Sequence, residues 1–169
     1  MAIQISDIIS EMKELGMKTP QIIPTLKIEG AKAKIEMVCQ FILKDKNCDF
    51  VWLPQYDEIA DWLEDTQGRG LLLYGQCGLG KTFLSRYVIP AVVLGSVKTV
   101  FYSYDMRELN TALDVALTKR FLSIDDIGTE EQIIKFGDRR CAVTELLDAS
   151  EKYGKLLILT TNLTGEELR

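Results

Sequence analysis

Residues 75–82, Gly75-Gln76-Cys77-Gly78-Leu79-Gly80-Lys81-Thr82, satisfy the phosphate-loop pattern G-x-x-x-x-G-K-[ST] at every fixed position. Such a loop works only between a buried strand and a helix N-terminus, because its backbone N–H groups and the helix dipole together hold the anion. The flanks meet that demand. Apolar Leu71-Leu72-Leu73-Tyr74 precedes the loop, and the helix-compatible run opened by Phe83 follows it. A nucleoside triphosphate is the implied ligand. Triphosphate oxygens are small and densely charged, so the chain must wrap closely around them. Gly75, Gly78 and Gly80 permit that path. Lys81 offers a point charge to the β and γ phosphates, and Thr82 a hydroxyl to the Mg²⁺ that accompanies them.

The rest of the chain reads as alternating strands and helices. Short apolar segments at 99–103, 121–124 and 156–160 are separated by helical stretches at 106–117 and 138–153. Strand–helix–strand spacing of this kind gives right-handed crossovers and a parallel sheet covered on both faces. The expected class is therefore α/β, a three-layer P-loop NTPase fold. Three amphipathic helices are expected before the first strand, at 3–15, 29–44 and 55–64. The first two could cover the core or grip a partner, and core cover is the plainer reading. An aromatic linker, Phe50-Val51-Trp52, joins the second to the third. Trp52 and Tyr56 there could line an adenine slot or simply fill the core.

Composition narrows the field. A formal net charge of −5 argues against a broadly basic nucleic-acid surface. Histidine is absent, and the four cysteines form no C-x-x-C pair, which argues against zinc and against His-assisted nucleophiles. Cys77 lies within the phosphate loop, where a thiol fits a reduced compartment. No apolar run approaches the about 18 residues that span a bilayer, and no secretory leader is evident, so a cytoplasmic protein without a membrane partner is expected.

A second motif completes the site. Ser123-Ile124-Asp125-Asp126-Ile127-Gly128 ends a strand on two carboxylates, and ligands of open α/β sheets sit beyond the carboxyl ends of the strands. Asp125 is the candidate Mg²⁺ ligand beside Thr82, usually acting through water. Asp126 is the candidate for orienting or deprotonating the attacking water. At the end of the last strand Thr160-Thr161-Asn162 turns polar, which places the Asn162 amide where it could touch both γ-phosphate and water. Lys81, Asp126 and Asn162 form the candidate catalytic set. A shared γ-phosphate requires the strand ending at Tyr74 to neighbour the strand ending at Thr160, and that one to neighbour the strand ending at Asp125.

The segments GQCGLGKT, FLSIDDIG and LLILTTNL, in this order and spacing, resemble the AAA+ ATPases, in particular the branch of DnaC-type helicase loaders and IstB-type transposition helper ATPases. The resemblance covers roughly residues 50–169. It implies that residues 75–82 are the Walker A loop, Asp125 and Asp126 the Walker B pair, and Asn162 the sensor-1 position. It further implies an ATPase of DNA replication that binds ATP and Mg²⁺ and meets a replicative helicase or another DNA-machinery protein. Single-stranded DNA in the full-length protein and a nucleotide-dependent homo-oligomer belong to the same expectation. The domain division it suggests is an N-terminal helical extension over 1–49 and a nucleotide-binding core over 50–169, ending before a fifth strand, arginine finger and lid. Two rival readings share the loop: a P-loop small-molecule kinase and a non-hydrolysing nucleotide-binding module. The family carries glutamate where this chain has Asp126, one methylene shorter. Arg139 and Arg140 are expected to open the helix that follows the acidic pair, facing solvent, a neighbouring subunit or a DNA phosphate.

Overall fold

The computed structural model describes residues 5–19, 23–44, 48–128, 133–135 and 138–167. Three helices precede the sheet: α1 (Ile5–Glu14), α2 (Ala31–Lys44) and α3 (Gln55–Glu64). Strand β1 (Leu71–Tyr74) leads into the loop. A continuous helix then opens as α4 (Lys81–Phe83), passes through a π-helical stretch (Leu84–Val88) and continues as α5 (Ile89–Val97). Next come β2 (Tyr102–Asp105), α6 (Met106–Ala116), β3 (Phe121–Ile127), a small hairpin of β4 (Ile133–Lys135) and β5 (Asp138–Arg140), α7 (Ala142–Tyr153) and β6 (Leu156–Thr161).

The four long strands form one parallel sheet in the order β1-β6-β3-β2. The last strand therefore lies between the first and the third, as a shared phosphate site requires. Alternation along each strand sends side chains to two apolar layers. Leu156 and Ile158 join α2, α3 and α5 in one cluster, with Ala31, Ile35, Cys39, Leu63, Val88 and Val93 at its centre. Leu157 of β6, with Leu122 and Ile124 of β3, joins Leu109, Leu113 and Leu146 of α6 and α7 on the opposite face. The result is a three-layer α/β sandwich, the P-loop NTPase architecture. Helix α2 buries Ala31, Ile35 and Cys39, so it covers the core. Burial pushes the Cys39 thiol up to about 11, which leaves it a neutral, inert filler.

Local sequence explains the joints. Asp105 ends β2 and caps α6: its carboxylate accepts from Glu108 N at 2.8 Å, while Glu108 Oε2 accepts from Asp105 N at 2.8 Å. This reciprocal capping box satisfies two of the helix's orphan donors. At the far end of α6 the buried Lys155 ammonium donates to Leu117 O at 2.6 Å and Lys119 O at 2.7 Å. Burial, and then the nearby Arg120, lower its pKa below the ordinary lysine value.

Three expectations need correction. The strand read at 99–103 is displaced to Tyr102–Asp105. Its polar end, Asp105, pairs with Asp125 in the ladder rather than standing outside it. The helix read from 138 begins at Ala142, because Asp138–Arg140 is strand β5, paired antiparallel with β4. Arg139 and Arg140 thus do not open a helix, and their side chains lie outside the described residues. The linker aromatics pack on each other: Phe50 stacks on Tyr56 at 6.1 Å between ring centroids, and Trp52 meets the Tyr56 edge at 5.7 Å.

Candidate nucleotide site

The loop between β1 and α4 takes a path open to few residues. Gly78 and Gly80 have φ of +88° and +79°, and Gly80 caps the helix from the left-handed region. A side chain at either position would be strained there. Gln76, Cys77, Gly78 and Leu79 are exposed at the carboxyl edge of the sheet, so the loop backbone is free to face a ligand.

Lys81 starts the helix and turns back over the loop. Its ammonium donates to Gly75 O at 2.7 Å, to Gln76 O at 2.9 Å and to Asn162 Oδ1 at 2.9 Å. From the other end of its amide, Asn162 Nδ2 donates to Asp126 Oδ1 at 2.7 Å. Lys81, Asn162 and Asp126, from three separate elements, therefore form one hydrogen-bonded chain. One step deeper, Asp125 Oδ1 accepts from Thr82 Oγ1 at 3.0 Å and from Thr160 Oγ1 at 2.6 Å. Thr160 Oγ1 accepts in turn from Asp126 N at 2.8 Å.

That last bond depends on a local irregularity. The β3–β6 register shifts between Ile124 and Ile127, and Asp126 has φ of +63°. The bulge swings the Asp126 amide sideways onto Thr160 and directs its side chain toward Asn162 rather than into a sheet face. Short polar residues visit this left-handed region more readily than longer ones, because their side chains can bond locally.

One cleft of about 450 Å³ is lined by Cys77, Gly78, Gly80, Lys81, Thr82, Phe83, Asp126, Thr160 and Asn162. That volume lies within the range of small-molecule sites. A second cavity of about 390 Å³, lined by Tyr56, Ile59, Leu73, Tyr74, Leu79 and Leu84, abuts it and shares Lys81 as a wall. Burial raises the Tyr56 phenol pKa, and it presents a neutral aromatic wall there. Among the sequence-read residues, Gly75, Gln76, Leu79 and Asp125 lie outside the lining of the first cleft. Gly75 and Gln76 reach it through Lys81, and Asp125 through Thr82.

The donor chemistry fits Mg²⁺. Thr82 and Asp125 bring hard oxygens to one point, and Mg²⁺ commonly takes one or two protein oxygens with phosphate and water completing its shell. Among the described residues no group of three or more His, Cys, Asp or Glu could hold a metal by itself. Thr160 was missed as a distinct partner of both acids. Its signal is a hydroxyl in the polar triplet that ends the strand. Ser123, buried under the phosphate-loop helix, stands as a lone hydroxyl between Leu122 and Ile124 in β3.

Comparison with solved structures shows the fold. A structure of AMPPCP-bound DnaA from Aquifex aeolicus superposes with a TM-score of 0.50 at 18% sequence identity. The match covers 70% of this chain and 42% of that one, so the chain spans less than half of DnaA's length in that structure. The likeness shows a P-loop NTPase α/β fold. The family model for the nephrocystin 3 N-terminal region matches residues 49–119, from the aromatic linker through the phosphate loop to the turn before β3. No curated protein matches the chain. Among the described residues no helix is long and apolar enough to cross a membrane.

Proposed function

We propose that the chain is the ATP-binding and ATP-hydrolysing core of an AAA+ protein of DNA replication, with DnaC-like helicase loading as the first reading and IstB-like transposition help as the second. The observation that carries the enzymatic part is the bonded chain Lys81–Asn162–Asp126 above the Thr82–Asp125 pair, all at one cleft. The DnaA of similar fold holds AMPPCP, an ATP analogue, which supports a nucleotide as ligand. In this reading the loop of residues 75–83 wraps the triphosphate and Lys81 leaves Asn162 for the β and γ phosphates. Thr82 and Asp125 hold Mg²⁺, which supplies charge neutralisation at the phosphates. Asp126 takes the proton of the attacking water, and Asn162, freed from Lys81, orients that water. The cavity beside Tyr56 and Leu79 takes the base. Residues 1–49 form the N-terminal extension and residues 50–169 the core, with α2 of the extension packed into it. A helicase or another DNA-machinery protein is the partner, within a nucleotide-dependent assembly in the cytoplasm.

The test is calorimetric titration with Mg²⁺-ATP followed by phosphate-release assays with and without single-stranded DNA. Binding below about 100 μM with acceptor-independent phosphate release supports the proposal. Strict dependence on a small-molecule acceptor selects a kinase instead, and binding without turnover selects a nucleotide-responsive module.

A further inference from the structure

The helix that follows the phosphate loop carries Pro90 inside it. An interior proline has no N–H to give, and its ring crowds the carbonyl four residues back. The helix accommodates it by widening over Leu84–Val88: Ile89 N donates to Leu84 O instead of to Ser85 O. The Ser85 carbonyl thereby loses its helical donor. It is completely buried, where an unpaired carbonyl is costly, and Ser123 Oγ donates to it at 2.9 Å.

Ser123 lies on β3 two residues before Asp125, so both project from the same face of the strand. Ser85 lies three residues after Thr82 on the helix. Strand and helix are thus joined by two rungs, Thr82–Asp125 at 3.0 Å and Ser85–Ser123 at 2.9 Å. The Ser85 hydroxyl adds a longer contact to Thr82 O at 3.4 Å. The upper rung carries the two oxygens that would hold Mg²⁺, Thr82 directly and Asp125 through water, while the lower rung fixes how far apart the helix and strand that present them lie.

We propose that Ser123 is a positioning residue for the metal site: through the Ser85 carbonyl freed by the π-helical stretch, it holds helix and strand at the separation at which Thr82 and Asp125 would receive a cation. The inference rests on the function proposed above and adds a residue pair to it.

The test uses the full chain and a fluorescent ATP analogue, titrated once in excess EDTA and once in Mg²⁺. In the unaltered protein Mg²⁺ is expected to tighten binding. Ser123→Ala is expected to bind the metal-free analogue within about twofold of the unaltered protein but to lose about tenfold of the Mg²⁺ enhancement, the lower end of what outer-sphere partners of a metal site contribute. Ser123→Thr, which keeps the hydroxyl, is expected to retain it. Should Ser123→Ala be too unstable to purify, Ser123→Cys, a weak donor of similar size, carries the same comparison. An unchanged Mg²⁺ enhancement in Ser123→Ala overturns the proposal and leaves the nucleotide site standing. So does an equal loss in EDTA and in Mg²⁺, which would mark Ser123 as structural only. Failure of the unaltered protein to bind the analogue at all overturns the nucleotide reading and this inference with it.

Discussion

The Lys81 ammonium and the Asn162 side-chain oxygen lie 2.9 Å apart although β2, β3, β6, two further helices and a hairpin separate them along the chain. Lys81 is thereby held over the loop, coordinated by oxygens that a phosphate can replace. Lys81→Ala is expected to abolish ATP binding at micromolar nucleotide while leaving the fold intact. The loss is about 2–5 kcal/mol, as for one partner of a charged hydrogen-bonded pair. Calorimetry beside a thermal melt checks both halves, and unchanged affinity would refute the role of Lys81.

Asp126 separates chemistry from backbone geometry. At φ of +63° an asparagine is as well accommodated as the aspartate, whereas residues without a short polar side chain are less so. Asp126→Asn is expected to melt within a degree or two of the unaltered protein while losing most of its residual turnover. Asp126→Ala is expected to lose turnover and also about 1 kcal/mol of stability. Equal melting of both variants would contradict the backbone part of this account.

Thr160 supports both acids at once, donating to Asp125 and accepting from the Asp126 amide. Thr160→Val keeps the shape and removes the hydroxyl, depriving the half-buried Asp126 amide of that acceptor and leaving Asp125 Oδ1 with Thr82 as its remaining hydroxyl donor. The expected cost is about 1–3 kcal/mol, read by urea denaturation, with weaker Mg²⁺-dependent nucleotide binding beside it. A neutral result would show that water replaces the hydroxyl.

Among the described residues no arginine lines the cleft, and Arg86, the nearest on the helix, is paired with Glu108 at 3.2 Å. An arginine at the transferring phosphate typically contributes ~10³–10⁵ in rate. Single-turnover hydrolysis by this chain alone is therefore expected to be slow. A rate constant near the ~1–100 s⁻¹ of kinases would show the site to be complete without one.

Much of the architecture was legible because its signals are local and redundant. The loop pattern, the apolar strands on either side of it and the polar strand ends at Asp125 and Asn162 are enough to define the sheet order. Other features arise from tertiary context. The hairpin was obscured because Ile133-Ile134-Lys135 and Asp138-Arg139-Arg140 are short, and the second is charged enough to pass for a helix start. Its one signal was the two-residue spacing that includes Gly137. Strand β2 was set too early because Asp105 is a poor strand former, yet the ladder with β3 carries it to the capping position. Pro90 lies within what reads as a continuous helix-compatible run, and the structure meets it with a widened turn whose freed carbonyl Ser123 stands opposite to receive. The left-handed Asp126 left no trace in composition, since aspartate is equally ordinary in an extended strand.

The insertion of β6 between β1 and β3 also governs the order in which the protein can assemble. Leu71 pairs with Ile158 and Leu122 with Leu157, so neither flanking strand finds its central neighbour until the last strand has been synthesised. Closing such long loops is entropically costly before any contact repays it, and topologies rich in distant pairings fold slowly. A nascent chain that stops short of residue 156 carries the phosphate loop on β1 before β6, its neighbour among the described residues, exists. Joining of the loop lysine to Asn162, just beyond β6, therefore waits on closure of the sheet.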